Sequence, residues 1–323
     1  MHIDDQLSPP IPGPGAHGGD AQSLARALGL AVEDVLDLSM SVNPLAPDVT
    51  PLVARAAGTA RHYPDDTEAT VALAEAIGVE VNQILLTNGG AEAIALVAED
   101  LGTAQIIEPE FSLWRRHLHH VAPVCERLGD GRVRSNPNNP TGHLAGVDEI
   151  ATVWDEAFYP LATGKWTRGD IDQGAIIVGS LTKLFACPGL RLGYVLSADS
   201  QFIERLRLRQ PRWSVSSVAL AITPRLIANA PLGEWADELS AWRATLTKTL
   251  RSYDLRVESA DAPWVLVTGV RGLRDALARR GVLVRDCTNF GLADTVRIAV
   301  PAPAALARLT SVLEIVLRES SWG

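Results

Sequence analysis

The chain has 323 residues, 47% hydrophobic and 21% charged, enough apolar content for a large core and for division into two domains. Its formal net charge of −9 argues against general nucleic-acid binding, so an anionic ligand has to be held by individual arginines or backbone amides. Cys125, Cys187 and Cys287 are too few and too dispersed for a disulfide framework and form no CxxC pair, and no apolar run approaches the roughly 20 residues that span a bilayer. A cytoplasmic protein without a metal site is the expectation.

The Pro/Gly-rich opening through Gly19 reads as an extended arm resting on something else, because proline fixes φ and lacks a donor while glycine resists ordering. It carries no basic segment leading into an apolar one. After Tyr63-Pro64, Asp65 and Glu68 have capping-box spacing, with Gly78 as the stop of that helix. Helical patterns then alternate with short β-branched runs: ILLT from Ile84, AQIIE from Ala104, RVRS from Arg132, ATVWDEAF from Ala151, AIIVGS from Ala175 and LGYVLSA from Leu192. That alternation predicts an α/β architecture with a mainly parallel sheet. Arg205, Arg207 and Arg209 read as a solvated helix face. From about Asp199 the pattern turns to long helices, SSVALAITPRLIAN and EWADELSAWRATLTKTL, followed by WVLVT, VLVRD and VRIAV as strands. The expected division is an arm over residues 1–39 contributing to the small domain and to a dimer, a large domain over 40–204 and a smaller α+β domain over 205–323.

Several residues carry chemistry on their own account. Lys183 follows the buried run AIIVGS and can form an imine with an aldehyde, while Ser180 and Arg191 supply a hydroxyl and a guanidinium suited to phosphate. Asp155, ending an apolar strand, is costly to bury unless paired. The turn Thr87-Asn88-Gly89-Gly90-Ala91-Glu92 lies between a strand and a helix, where exposed N–H groups make an anion site. Asn136 to Gly142 reads as a turn. Taken singly, Phe111 reads as core, and Arg285 and Arg297 read as surface ion pairs.

Ser180 to Gly193, as S-x-T-K, four residues and P-G-x-R-x-G, resembles the Schiff-base signature of the class I/II aminotransferases, which use pyridoxal 5'-phosphate (PLP). The other motifs fall in that family's order over nearly the whole chain. The resemblance implies PLP fold type I, the aspartate-aminotransferase-like fold. It makes Lys183 the residue that carries PLP and acts as the catalytic base, and Asp155 the partner of the protonated pyridine nitrogen. By the same resemblance Asn139 donates to the phenolic oxygen, Phe111 stacks on the ring, and Gly90, Ala91, Glu92, Ser180 and Arg191 surround the phosphate. Arg61-His62-Tyr63-Pro64-Asp65 resembles the R-Y-P-D element of the histidinol-phosphate aminotransferase and threonine-phosphate decarboxylase group, whose tyrosine reaches the neighbouring subunit's cofactor phosphate; a homodimer is implied.

In the same group Arg297 matches an arginine that pairs with a carboxylate, and Arg285 one that meets the far anionic end of the substrate. His17-Gly18-Gly19-Asp20 resembles the H-G-G-N of the cobalamin-pathway decarboxylase, implying a substrate-phosphate contact by His17. Leu38 to Leu45 resembles its F-S-x-N-I-N-P-L, which brings in Asn43 as a substrate residue. Phe158, where the histidinol-phosphate enzymes carry tyrosine, favours the same side. Threonine-phosphate decarboxylation is therefore expected, with histidinol-phosphate aminotransfer as the alternative and a PLP-binding pseudoenzyme as a remote one. The chain departs from the pattern twice. Only His143 to Thr152 separates N-P-T-G from the strand bearing Asp155, so a covering helix is expected to be missing. Gln210 to Ser216 resembles Q-x-P-W-x-V-N with Arg212 and Ser216 as substitutions.

Overall fold

A computed structural model describes residues 11–15, 17–123 and 131–319; Cys125 lies outside them. The chain divides into two compact units. The smaller takes the described residues up to Ser41, Trp242–Ser259 and those from Trp264 onward, and the larger takes Val42–Ala241 and Ala260–Pro263. The expected boundary at residue 204 therefore moves to Ala241/Trp242.

The smaller unit opens with α1 (Ala21–Leu28) and β1 (Leu36–Asp37). The larger unit begins with α2 (Thr50–Ala56) and α3 (Thr67–Ile77). Gly78 ends α3 in the left-handed region, φ 84, as expected, but the capping box does not form: the helix starts at Thr67, and the Asp65 carboxylate accepts from Thr67 N at 3.0 Å and from Thr67 Oγ1 at 2.6 Å.

Next come β2 (Ile84–Asn88), α4 (Gly89–Leu101), β3 (Thr103–Ile106), α5 (Ser112–His117), β4 (His120–Ala122), β5 (Arg132–Ser135), β6 (Val153–Asp155), α6 (Tyr159–Thr163), β7 (Ile176–Ser180), α7 (Leu181–Leu184) and β8 (Leu192–Leu196). The strands form one seven-stranded sheet in the order β2-β8-β7-β6-β5-β3-β4. β8 pairs antiparallel with both β2 and β7, and the other pairs are parallel. β2, β6, β7 and β8 are buried along nearly their whole length and are accordingly near-continuous apolar runs, whereas β5 alternates, with Val133 and Ser135 buried and Arg132 and Arg134 partly exposed. Leu85, Ile106, Val133, Val153, Val178 and Val195 pack with Ala93, Ile94 and Val97 of α4 into one core. No helix spans residues 143–152.

The long helices are α8 (Ser200–Arg209), α9 (Ser217–Ala228) and α10 (Leu232–Arg251), and the division between the units falls inside α10. α9 packs on α3 and α2, which is why residues 205–241 join the larger unit. On α8, Arg205 and Arg209 pair with Asp100 and Arg207 with Asp66 and Glu204, all three half-exposed. The smaller unit continues with β9 (Arg256–Ser259), β10 (Trp264–Thr268), α11 (Leu273–Ala278), β11 (Val282–Leu283), β12 (Arg285–Asp286), β13 (Thr295–Ala299) and α12 (Pro303–Glu319). VLVRD is thus two strands: β11 pairs with β1, and β12 joins the sheet β12-β13-β10-β9. The arm lies on this unit, with Pro12 O accepting from Arg274 Nη1 at 2.6 Å and Gly15 O from Arg285 Nη1 at 2.7 Å. Among the described residues no helix is long and apolar enough to cross a membrane, and no cluster of metal-ligating side chains occurs.

Candidate active site

In open α/β sheets the strand ends at the carboxyl edge are where ligands bind. That edge carries the motif residues of the larger unit. Because β8 runs against its neighbours, its first residue pairs with the last of β2, Leu192 with Asn88, and Gly193 pairs with Ser180. Arg191 is thereby delivered to the edge where Gly89 opens α4 and Ser180 ends β7.

The crowding there is read from the glycines. A methyl at Gly89, whose φ is 75, would lie 2.5 Å from Arg191 Nη2; one at Gly193 would lie 2.6 Å from Gly90 N; one at Gly90 would touch Ser180 Cβ at 3.5 Å. Three chain segments therefore meet at the first turn of a 13-residue helix. The N–H groups of such a turn have no intrahelical partner and sit at the positive end of the helix dipole. Backbone amides, the Ser180 hydroxyl and the Arg191 guanidinium are a donor set matched to a phosphate. The Glu92 side chain faces elsewhere: it accepts from Asn88 N at 2.7 Å, from Gln210 Nε2 at 3.0 Å and from Ser214 Oγ. The Glu92 side chain thus braces the turn through Asn88 N, and toward an anion it can offer only its backbone N–H. Ser216 caps α9, its hydroxyl accepting from Ala219 N at 3.3 Å.

Lys183 lies on the single turn α7, which Thr182 ties to β8 by donating to Leu192 O at 3.0 Å. Its Nζ stands 6.0 Å from the centroid of the Phe158 ring. Asn43, expected at the substrate, is buried against this turn: its backbone N–H donates to Lys183 O at 2.9 Å and its amide to Leu184 O at 3.1 Å, while its Oδ1 accepts from Leu45 N at 3.0 Å. Its observed work is to fix the lysine.

Asp155 ends β6 fully inside the unit. Burial pushes its carboxyl up to about 6, against donations from Ala157 N and Trp114 Nε1, both at 3.2 Å. Each oxygen takes one of these donors and retains acceptor capacity, so a pyridinium N–H fits, and its positive charge favours the ionised carboxylate. Trp114, on α5, was legible only as an apolar residue. Phe111 and Asn139 are linked by two further residues that the motifs do not mark. Glu110 accepts from Phe111 N at 2.7 Å and from Ser135 N at 2.9 Å, and the Ser135 hydroxyl accepts from Asn139 N at 2.8 Å. Tyr63 stacks on Trp213 with centroids 4.4 Å apart.

The remaining sequence-predicted residues belong to the smaller unit. Gly19 N donates to Ser39 Oγ at 2.9 Å and a methyl at Gly18 would lie 2.8 Å from Ser39 C, which fixes the backbone after His17. The register of β12 on β13 sets Arg285 directly opposite Arg297. Arg297 is buried with its guanidinium 4.7 Å from the Trp264 ring centroid; burial pushes its pKa down to about 10, so it stays cationic at neutral pH. Arg285 Nη2 donates to Asn289 Oδ1 at 2.9 Å, so two of its donors are engaged by Asn289 and the arm's Gly15 carbonyl.

The profile of the family described as aminotransferase class I and II matches residues 133–315. A threonine-phosphate decarboxylase from Salmonella typhimurium is 30% identical over an alignment covering 94% of this chain and 96% of the relative. The chain belongs to the class I and II aminotransferases. A histidinol-phosphate aminotransferase from Pseudomonas fluorescens is 27% identical, with 97% of this chain and 95% of the relative covered. The fold is that of a histidinol-phosphate aminotransferase from Sinorhizobium meliloti solved with pyridoxal-5'-phosphate, at TM-score 0.77 and 17% identity over 98% of this chain and 99% of that one. The cofactor of this aminotransferase is PLP, and the cradle at α4, the buried acceptor Asp155 and the lysine on α7 are a donor and acceptor set that fits it.

Proposed function

We propose that this aminotransferase-family enzyme decarboxylates a phosphorylated amino acid of the threonine-phosphate type, as in cobalamin synthesis. The observation that carries the reading is the opposition of Arg285 and Arg297 on neighbouring strands. Like charges directly opposite one another destabilise a sheet, and local violations of this kind concentrate at functional sites. A substrate with a carboxylate and a phosphate suits two planar guanidiniums through paired charge-assisted hydrogen bonds. Histidinol phosphate offers phosphate and an imidazole but no carboxylate.

PLP supplies a ring that withdraws the electrons left when a bond to the substrate α-carbon breaks. The chain does the rest. Lys183 would hold the cofactor through its Nζ, and the same group in its ammonium form would supply the proton that takes the place of CO2 at the substrate α-carbon. Asp155 keeps the ring nitrogen protonated, and Asn139 donates to the phenolic oxygen. Arg297 takes the carboxylate; Arg285 and His17 take the phosphate. Tyr63, 77% exposed, is assigned to the partner's cofactor phosphate in a homodimer. The free thiols Cys187 and Cys287 suit a reducing cytoplasm.

The test incubates PLP-loaded protein with threonine phosphate and, separately, with histidinol phosphate plus 2-oxoglutarate. CO2 and an amino-alcohol phosphate are expected from the first and no glutamate from the second; the reverse would overturn the proposal. Arg285→Ala is expected to lower kcat/KM for threonine phosphate by about tenfold to a hundredfold, the loss of roughly 1.5–3 kcal/mol, while leaving turnover of unphosphorylated threonine nearly unchanged. Equal loss on both substrates would remove the phosphate role.

A further inference from the structure

Glu110 is a carboxylate that neither the family motifs nor the reaction above employs, yet it is 4% exposed and lies at the centre of the site's polar packing. Its Oε1 accepts from Phe111 N at 2.7 Å and from Ser135 Oγ, and its Oε2 accepts from Ser135 N at 2.9 Å and Asn138 Nδ2 at 3.4 Å. The Ser135 hydroxyl has one proton, given to Glu110, and accepts the Asn139 N–H at 2.8 Å. The chain of donation therefore runs one way, from Asn139 through Ser135 to the carboxylate. Ser135 is also in register with Asp155 on β6. One buried side chain thus joins the backbone of the stacking ring, the loop of the phenolic-oxygen donor and the strand of the pyridine partner.

We propose that Glu110 is a positioning residue of the cofactor site, whose ionised carboxylate clamps Phe111 and Asn139 about the PLP ring and whose charge raises the proton affinity of the bound cofactor. Among the described residues, the charged groups that bear on it are Asp155 on β6 and Glu108 on its own segment. Glu108 accepts the Glu110 N–H at 2.8 Å and is paired with Arg115. Burial pushes the Glu110 carboxyl up to about 7, against the donations of Ser135 and Phe111, and the Asp155 charge adds to the rise. When Asp155 faces a cationic ring nitrogen, that repulsion is offset, so cofactor uptake favours ionised Glu110. By linkage, PLP affinity should then rise with pH through about 7. Glutamine is a poor substitute because its amide would point N–H groups at one pair of the four donors.

The inference rests on the PLP assignment, and the experiment separates the two. Apoprotein of the wild type, Glu110→Gln, Glu110→Asp and Ser135→Ala is titrated with PLP between about pH 6 and pH 8. The midpoint of the bound cofactor's visible absorption change and the apoprotein melting temperature are recorded alongside. Glu110→Gln is expected to bind PLP about tenfold or more weakly, to lose the pH dependence of affinity, and to shift the absorption midpoint down by at least ~0.5 unit. Glu110→Asp, keeping the charge, should restore the midpoint, and Ser135→Ala should weaken binding with the midpoint in place. A purely structural Glu110 would lower the melting temperature and leave the midpoint unmoved. Wild-type and Glu110→Gln proteins with the same affinity and midpoint would overturn this inference alone, whereas wild-type protein that takes up no PLP would overturn the cofactor assignment with it. Should Glu110→Gln fail to fold, wild-type affinity that stays flat across the same pH range is the refuting result.

Discussion

Replacing Gly193 by alanine directs a methyl group at the first turn of α4, 2.6 Å from Gly90 N and closer still to the Gly89 carbonyl carbon. These are backbone atoms and cannot swing aside. Gly193 itself is pinned between Thr87 on β2 and Ser180 on β7. Moving from 2.6 Å to an ordinary contact of 3.4 Å requires the helix start to retreat by at least about 0.8 Å, and more to clear the Gly89 carbonyl carbon, which would pull its amides out of reach of a phosphate held by Ser180 and Arg191. Overpacking costs about 1–3 kcal/mol of folding stability, and a lost charge-assisted hydrogen bond costs about 1.5–3 kcal/mol of binding. At about 1.4 kcal/mol per factor of ten, PLP affinity should fall roughly tenfold to a hundredfold. Titration of apoprotein with PLP, followed by visible absorption, measures this directly. Gly189→Ala serves as the control, since a methyl there meets nothing within 4 Å and should leave affinity within about twofold. Gly193→Ala protein that binds PLP as tightly as that control would refute the phosphate cradle.

Lys183→Ala should still take up PLP but without a covalent link; borohydride reduction and peptide mapping should label the wild type at Lys183, and a label on Lys165 or Lys248 would displace the assignment. Burial pushes the Glu156 carboxyl from 4.5 up to about 8, so between those values the folded chain keeps a proton that the unfolded chain releases, and stability should fall as pH rises across that window. Glu156→Gln should flatten the decline in thermal melts, and an unchanged slope would mean another group causes it. Mixing inactive Tyr63→Phe and Lys183→Ala proteins should restore part of the activity through hybrid dimers carrying one intact site; a fully active wild-type monomer would contradict the shared site.

Six of the seven strands of the large sheet are legible in the sequence: β2, β6, β7 and β8 because strands buried on both faces are apolar along most of their length, and β3 and β5 as short runs with apolar residues among their buried positions. The strands that were missed lack that mark: β4 is the partly exposed edge strand His120–Ala122, β9 buries only Val257, and β1 is two residues long. VLVRD reads as one strand because nothing local records that its two ends pair in different sheets. The boundary after residue 204 failed because helix periodicity does not say which layer a helix covers, and α9 covers α3. Lys183, Asp155 and Asn139 are proposed site residues because each matches a family motif at fixed spacing. Glu110, Ser135 and Trp114 carry no such mark, since each acts through a residue distant in sequence: Glu110 through Ser135, 25 positions on, and Trp114 through Asp155, 41 positions on.

The reversed strand β8 has a consequence for how this chain can change over evolutionary time. Because it starts at the edge where β7 ends, the eleven residues from Leu181 to Arg191 suffice to return the chain, and they carry both the amine on α7 and the guanidinium beside α4. A parallel connection would need a dozen or more residues, usually a helix, with slack between the two groups. Here a single inserted or deleted residue in that link would displace one group relative to the other, or both relative to the sheet. Substitution within this connection leaves the spacing of the two groups intact, whereas a change of length does not.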